Sequence, residues 1–287
     1  MTVQVEEIRL NLPHIDIAAH LYGLEDGHPV IALHGWLDNA ATFSRLAPLL
    51  PGLRILALDF AGHGYSAHRP PGGSYLIWDN VLDVLLVAEA MGWQRFSLLG
   101  HSMGAIVALL LASAMPERVD RLALIDGLLP FTGEAEQAPE KLGEALRAQL
   151  ALPSKRKPVY ADVQLAVDAR MKGVGTVTRE AAEILARRGL MPVSGGYTWR
   201  SDSRLTLASP IRLTRAHALA FLRKVSCPVS LVLAEKGMLL HEPSIQALLQ
   251  DLPFALHTLP GGHHLHLDDD AGARSVADCF NPFFALA

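Results

Sequence analysis

The segment Gly100-His101-Ser102-Met103-Gly104 has the residue types and the spacing of a site for nucleophilic catalysis. In a G-x-S-x-G turn between a strand and a helix, the serine sits on a sharp, strained bend and its hydroxyl is exposed. The apolar run 96–99 precedes this pentad, and the helix-like stretch 105–114 follows it. The chemistry that this arrangement favours is attack on an acyl carbonyl, with Ser102 as the nucleophile.

A second cluster of chemically capable side chains, formed by His264, His266, Asp268 and Asp269, lies near the end of the sequence. Its spacing resembles the H-x-H-x-D-H ligand run of metallo-hydrolases. However, the last ligand would be an aspartate, the run does not follow an early strand, and no second set of histidines completes a zinc shell. The sequence therefore predicts no metal and no other cofactor.

Length, charge and cysteine usage restrict the classes of protein to which the chain can belong. Its 287 residues, half of them apolar, suffice for one large α/β domain with an insertion or for two modest domains. The formal net charge of −4 is spread along the chain, which argues against a nucleic-acid partner or an anionic membrane surface. Cys227 and Cys279 lie in apolar surroundings, so we expect buried free thiols of a reducing compartment.

The sequence shows neither a secretory signal nor a membrane span. Residues 1–10 include Glu6 and Glu7 and lack a basic start followed by an apolar core. The longest apolar stretch, 105–112, is far shorter than the roughly 20 residues that a membrane helix needs. We therefore expect a cytoplasmic protein without a membrane span.

The elements that must position Ser102 follow the pattern of a parallel sheet with flanking helices. Alternating apolar and polar residues predict an antiparallel hairpin over 3–22. Short, continuously apolar runs then predict strands that are buried on both faces, and stretches with helical spacing separate them. The predicted strands are 30–33, 54–58, 96–99 and 122–125, and the predicted helices are 40–50, 80–91 and 103–115. This order predicts an α/β fold with a mostly parallel central sheet and helices on both faces.

The alternation of strands and helices stops after residue 127. Polar and charged helices and turn-rich stretches fill 128–209, which we interpret as an inserted, mainly helical cap domain. Residues 1–127 and 210–287 are interpreted as the core domain. Within the insertion, Lys155-Arg156-Lys157 stands between prolines and is interpreted as a solvated linker rather than a binding site. The core is predicted to resume with strands 229–233 and 255–259, a helix over 242–252 and a closing helix from Asp270.

Four segments together resemble the α/β-hydrolase fold superfamily, specifically its capped serine hydrolases. Within the insertion, Trp199, Asp202 and Arg204 with the following Pro210 resemble the serine hydrolase-like branch. Because this fold hosts many chemistries and also non-enzymes, the resemblance does not identify a substrate. The four segments are Leu33-His34-Gly35-Trp36, 58–66, 100–104 and Gly261-Gly262-His263.

The resemblance implies that His263 is the general base, because it is the first residue after the glycines in the loop that follows the last strand. A base at hydrogen-bond distance from the serine accepts its proton and contributes about 10²–10⁴-fold to the rate. His264 and His266 lie in the same loop and remain alternative bases.

The acid of the catalytic triad has two candidates. Past the strand 229–233, where family members often read Gly-x-x-Asp, this chain reads Ala234-Glu235-Lys236-Gly237, so a glycine stands at the expected aspartate position. Asp126 ends the preceding strand, and some members of the superfamily carry their acid there. We predict Asp126, with Glu235 as the alternative; either carboxylate could fix the histidine tautomer and stabilise the imidazolium.

The resemblance also implies an oxyanion hole formed by the backbone N–H groups of Trp36 and Met103. Gly35 allows close approach of the backbone, and Met103 begins the helix after Ser102. Losing one such donor typically costs about 10²–10³-fold in turnover. The Trp36 indole either lines the substrate pocket or packs as a core aromatic, and the loop 59–66 is interpreted as scaffold and pocket floor.

The sequence thus predicts a cofactor-independent serine hydrolase that cleaves a carboxylic ester of a small to medium, partly apolar substrate. Ser102 would attack the acyl carbonyl, and water would resolve the acyl-enzyme. A serine nucleophile argues against dehalogenation and epoxide opening, which proceed through a carboxylate in this superfamily. The alternatives are a cofactor-free perhydrolase, a carbon–carbon bond hydrolase and a non-catalytic ligand-binding protein. The sequence does not predict the oligomeric state.

Overall fold

The structure, a computed structural model, describes residues 5–250 and 252–285 of the chain. Eight strands of this part form one sheet, in the order β1-β2-β4-β3-β5-β6-β9-β10, and β7 pairs with β8 in a separate hairpin. In chain order the strands are β1 (Glu6–Asn11), β2 (Asp16–Tyr22), β3 (His28–Leu33), β4 (Leu53–Leu58), β5 (Phe96–His101), β6 (Val119–Ile125), β7 (Leu190–Val193), β8 (Gly196–Trp199), β9 (Val229–Lys236) and β10 (Ala255–Gly262).

The large sheet is mostly parallel, as predicted. All pairs from β4 through β3, β5, β6 and β9 to β10 are parallel, whereas β1 and β2 form an antiparallel hairpin at one edge. Leu33 pairs with Gly100, and His101 pairs with Ile125, so that β3, β5 and β6 end at similar heights. Because the carboxyl ends of parallel strands meet at one edge of a sheet, the loops that follow these strands converge there.

Helices cover both faces of the large sheet, which confirms the predicted α/β layering. Leu98 of β5 packs into a cluster with α1 and α2, and its neighbour Leu99 packs into the cluster on the other face, with α9. Successive strand residues point to opposite faces, so a strand covered on both sides reads as a continuous apolar run. The helices are α1 (Ile77–Ala90), α2 (Met103–Ala114), α3 (Ala138–Ala151), α4 (Val163–Met171), α5 (Arg179–Gly189), α6 (Arg215–Lys224), α7 (Pro243–Leu249), α8 (Leu265–Asp268) and α9 (Asp270–Phe284).

The predicted helix over 40–50 was wrong in type. The structure has two short 3₁₀ helices there, Ala40–Phe43 and Ala47–Leu49. Pro48 lies in the first turn of the second helix; it lacks an N–H donor, and its ring would clash with the carbonyl four residues earlier in a continuous α-helix. Other boundaries moved by a few residues, and the predicted elements that include residues 3, 4 and 251 extend there outside the described part.

Residues 128–209, called the inserted segment below, contain α3, α4, α5 and the β7–β8 hairpin. The hairpin was not anticipated by the prediction of a mainly helical segment. Ala166, Ala182 and Leu185 belong to a separate hydrophobic cluster, which also includes Leu267 from α8, shortly after β10. The inserted segment therefore packs on the sheet edge where the strands end. Its assignment as a cap domain of 128–209 on a core of 1–127 and 210–287 stays a prediction.

Two further expectations concern a membrane span and the two thiols. Over the described residues, no helix combines the length and the apolar character that crossing a bilayer requires. Cys227 and Cys279 are free, as expected, but each is only partly buried at the margin of a hydrophobic cluster.

Candidate active site

Ser102 occupies a strained turn between β5 and α2. Its backbone angles are φ 54° and ψ −117°, a region that residues with a side chain rarely adopt. The flanking glycines explain how the turn fits: a Cβ at Gly104 would lie 1.9 Å from the main-chain oxygen of Leu33, and one at Gly100 would lie 2.5 Å from Cα of Ala105. The spacing of the pentad therefore reflects close packing of α2 against β3 and β5.

The loop after β3 makes a second strained turn beside this one. The N–H of Asp38 donates to the oxygen of Gly35 at 3.2 Å, and Leu37 has a positive φ of 62°. In the described chain, no protein group accepts a hydrogen bond from the main-chain N–H of Trp36. The N–H of Met103 has no acceptor within α2, because it belongs to the first residue of the helix. Both predicted oxyanion donors are thus available to a ligand.

Two buried histidines fix the shape of the loop after β3. His34 donates from Nδ1 to the oxygen of Gly35 at 2.7 Å and accepts from the N–H of Phe60 at Nε2, at 3.0 Å. His63 accepts from the N–H of Leu37 at 3.2 Å. Burial lowers the pKa of His34 to about 4 and the pKa of His63 to about 3, so both rings are neutral and can accept these hydrogen bonds.

His263, in the loop after β10, lies against Asp126 at the end of β6. Its Nδ1 is 2.5 Å from Oδ2 of Asp126, although the two residues are 137 positions apart in the sequence. The Asp126 side chain is fully buried and also accepts from the main-chain N–H of Met238 at 2.9 Å. A carboxylate on Nδ1 selects the tautomer that leaves Nε2 free to accept a proton.

Gly237, directly after β9, leaves room for the Asp126 carboxylate, which follows β6. A Cβ at this position would lie 2.4 Å from both carboxylate oxygens of Asp126, so any side chain there would collide with the acid. Glu235 is exposed, and its main-chain oxygen accepts a hydrogen bond from His241 at 2.8 Å. The structure therefore brings Asp126, and not Glu235, to His263.

Ser102 lies beside this histidine–aspartate pair. Its main-chain N–H donates to the oxygen of Ile125 at 3.0 Å, next to Asp126. The ring of His101, the residue before Ser102, is 4.7 Å from the ring of His263. Within the described residues, Ser102 Oγ makes no hydrogen bond with His263; in free enzymes such catalytic contacts are often long and tighten when substrate binds.

In the described chain, neither alternative base forms a hydrogen bond with Asp126. Nε2 of His264 lies 2.9 Å from Oδ2 of Asp38, and the guanidinium of Arg170 on α4 lies 2.8 Å from Oδ1 of the same carboxylate. Burial would raise the pKa of Asp38, but His264 and Arg170 together hold it well below its usual value. His266 is fully buried, and in the described chain neither of its nitrogens has a hydrogen-bond partner. Sequence reasoning missed Asp38 and Arg170, because nothing in their local pattern marks them.

A group of potential metal ligands occurs in the same place. Ligand atoms of Asp38, His101 and His264 lie within 4.8 Å of one another. The guanidinium of Arg170 is 3.3 Å from Nε2 of His264 and already neutralises Asp38, so the group does not fit a cation. Asp268, from the run whose spacing resembles metal ligands, instead accepts from the N–H of Thr178 at 2.8 Å.

A cavity of about 400 Å³ opens between the loop after β3 and the inserted segment. Trp36 lines it and is 38% exposed, and its indole N–H donates to the oxygen of Leu205 at 2.9 Å. The Trp36 indole therefore lines a cavity and does not pack as a core aromatic. Ser102 and His263 are not among the described residues that line the cavity, so the cavity adjoins the oxyanion loop rather than enclosing the nucleophile.

Known proteins resemble the chain over most of its length. A family model described as alpha/beta hydrolase fold matches residues 28–173. A serine hydrolase-like protein from Danio rerio is 32% identical, and the match covers 96% of this chain and 87% of that protein. The crystal structure of a hypothetical protein from Pseudomonas aeruginosa PAO1 is 72% identical, with a TM-score of 0.97 and coverage of 98% of this chain and 100% of that chain. A thioesterase domain from the curacin biosynthetic pathway is 26% identical, with a TM-score of 0.83 and coverage of 96% and 99%.

Proposed function

This chain belongs to the alpha/beta hydrolase fold family, and from that premise we propose that it is a serine hydrolase. Its substrate is a carboxylic ester of small to medium size with a partly apolar acyl or alcohol group, and the reaction passes through an acyl-enzyme. The observation that carries this proposal is the hydrogen bond between His263 and the buried Asp126, beside the strained turn that presents Ser102.

In this mechanism Ser102 Oγ attacks the acyl carbonyl, and its proton moves to Nε2 of His263. Asp126 keeps the Nδ1 proton in place and stabilises the imidazolium by its charge. The negative charge on the former carbonyl oxygen is stabilised by the N–H groups of Trp36 and Met103. His263 then returns the proton to the leaving alcohol. A water molecule, deprotonated by the same histidine, releases the acid and regenerates Ser102.

In the same proposal, the inserted segment acts as a cap domain over the active site. Arg170 on α4 contacts Asp38 in the loop after β3 at 2.8 Å, and a Cβ at Gly175 would lie 2.9 Å from Cδ2 of His263. A segment that packs this closely on the base can limit access of water and select substrates.

The free cysteines Cys227 and Cys279 favour a cytoplasmic location.

A fluorophosphonate probe tests the proposal directly, because it forms a covalent bond with an activated serine. We expect labelling of the native protein and none of Ser102→Ala or His263→Ala. The substitution Ser113→Ala removes a serine near the end of α2, away from the strained turn at Ser102, and serves as the control that should still be labelled. Equal labelling of the native protein and Ser102→Ala would refute the proposal.

A further inference from the structure

The cavity beside the oxyanion loop combines an apolar interior with an unusual set of charges. Trp36, Tyr160, Val174 and Trp199 contribute apolar surface to its lining. Its volume of about 400 Å³ is in the range of small-molecule sites, which are generally apolar with a few polar groups that fix orientation. Because Trp36 also belongs to the predicted oxyanion hole, a substrate bound at Ser102 can extend into this space.

The basic side chains of the lining outnumber the acidic ones. Asp202 is the one acidic residue among the described lining residues, and it is already paired with Arg204 at 2.6 Å. Burial alone would raise the pKa of Asp202, but the hydrogen bonds from Arg204 lower it to about 2, so it stays ionised within this pair. Arg170 is likewise paired with Asp38. Neither of these pairs leaves a net charge for a ligand.

Within the described residues, three cations of the lining form no ion pair with a carboxylate. Lys157 donates through Nζ to the main-chain oxygens of Trp199 and Ser201, which fixes its position without neutralising its charge. Lys155 and Arg156 are exposed, and neither side chain forms a hydrogen bond or ion pair with the residues described. The basic run that the sequence suggested to be a solvated linker therefore stands on the wall of the cavity.

On the basis of this charge distribution, and resting on the proposed function, we propose that the natural substrate carries an anionic group, such as a carboxylate or a phosphate. Its apolar part occupies the cavity, and its anionic group contacts Lys155 and Arg156. A chain with a formal net charge of −4 does not attract anions in general, so the local excess of positive charge at this cavity is selective.

Matched substrates test this inference. We would compare p-nitrophenyl esters of dicarboxylic acids of increasing length, such as glutarate, adipate and suberate, with the same compounds methylated at the free carboxylate. At the best length we expect kcat/KM to be about 3–10-fold higher for the anionic ester, the range that one or two solvent-accessible charge contacts provide. The preference should shrink between 50 and 500 mM salt, because salt screens exposed charges.

A second arm examines the leaving group, because the anionic group can belong to either side of the ester bond. Both compounds of this arm are thioesters, in which the same attack by Ser102 would release a thiol: butyryl-coenzyme A, which carries phosphates, would be compared with the uncharged butyryl-N-acetylcysteamine. In both arms the double variant Lys155→Gln/Arg156→Gln should lose the preference and keep its activity on the neutral compound. The matched control, Lys141→Gln/Arg147→Gln on α3, removes the same charge away from the cavity and should keep the preference.

Binding by Ser102→Ala separates this inference from the proposed function. Its tryptophan fluorescence, to which Trp36 and Trp199 contribute, should report tighter binding of octanoate than of octanol, and the Lys155→Gln/Arg156→Gln change should remove the difference. If Ser102 reacts with fluorophosphonate but neither arm and neither ligand shows an anionic preference, the inference is wrong and the proposed function stands. If the binding preference is present without labelling, the proposed function is wrong instead.

Discussion

His101 donates a hydrogen bond from Nε2 to the main-chain oxygen of His263 at 2.9 Å. The residue immediately before the proposed nucleophile thus holds the backbone of the proposed base. Since the partner is a carbonyl, the Nε2 atom carries the proton. Burial, together with the neighbouring histidines His266, His263 and His264, lowers the pKa of His101 well below its usual value, so the ring is neutral. We interpret His101 as a positioning residue for the loop that carries His263.

We predict that His101→Phe slows catalysis by displacing His263. The ring is replaced by one of similar shape, but the buried carbonyl of His263 loses its donor, which costs about 1–3 kcal/mol in the free energy of unfolding. Urea unfolding checks the stability. On p-nitrophenyl butyrate, kcat should fall while KM changes little, and a shifted pH profile of kcat would distinguish altered positioning from a general loss of folded protein. An unchanged kcat and profile would contradict the positioning role.

We predict that the acid can be moved from β6 to the loop after β9. Asp126→Asn should lower kcat by about 10²–10⁴-fold, because the wrong histidine tautomer is then favoured. Because Gly237 directly faces the Asp126 carboxylate, Asp126→Gly/Gly237→Asp should recover a measurable part of this loss. Turnover of p-nitrophenyl acetate is the measurement, and Glu235→Gln is the control that should remain active. Our assignment fails if Glu235→Gln collapses while Asp126→Asn does not.

We predict that the ion pair between Arg188 on α5 and Asp59 after β4 stabilises the protein strongly. Nε of Arg188 lies 3.0 and 2.9 Å from the two carboxylate oxygens of Asp59, whose side chain is fully buried. Arg188→Met leaves that charge without its partner and should cost about 3–5 kcal/mol in the free energy of unfolding. Arg179→Met, which removes an exposed partner of Asp168, should cost at most about 1 kcal/mol. Equal costs of the two substitutions in urea unfolding would contradict the prediction that the buried ion pair is the more stabilising one.

We predict that acid destabilises the protein through its buried neutral histidines. The pKa values of His34, His63 and His266 are lowered from 6.5 to about 4, 3 and 3 by burial. Between pH 6.5 and these values the unfolded chain binds the protons and the folded chain does not. The stability from each neutral ring is therefore complete above pH 6.5 and is lost as the pH falls, by about 1.4 kcal/mol per pH unit for each group.

His266→Leu isolates one of these contributions. The imidazole has no hydrogen-bond partner among the described residues, so an apolar side chain should be tolerated or stabilising at pH 8. As the pH falls toward 5, the variant should gain stability relative to the native protein, measured as the urea midpoint at each pH. A constant difference between the two proteins from pH 8 to pH 5 would rule out protonation of His266 on unfolding.

The local pattern of the sequence was sufficient to predict the central sheet and the turn at Ser102. Continuous apolar runs predict strands buried on both faces, and the glycines around Ser102 predict a turn that packs closely between a strand and a helix. These features depend on neighbours in the sequence, so they can be read from it. The same local reasoning failed at 40–50, where apolar spacing favoured a helix but Pro48 prevents a continuous one.

The sequence by itself determined that a serine, a histidine and a carboxylate follow strands of one parallel sheet, whose carboxyl ends must meet at a common edge. The tertiary structure decided which side chains meet there. Asp126 rather than Glu235 reaches His263, His264 pairs with Asp38, and Lys155 and Arg156 stand on a cavity wall. The physical reason is that these contacts join residues far apart in the chain, so they depend on strand register and on how the inserted segment packs, which no local pattern records.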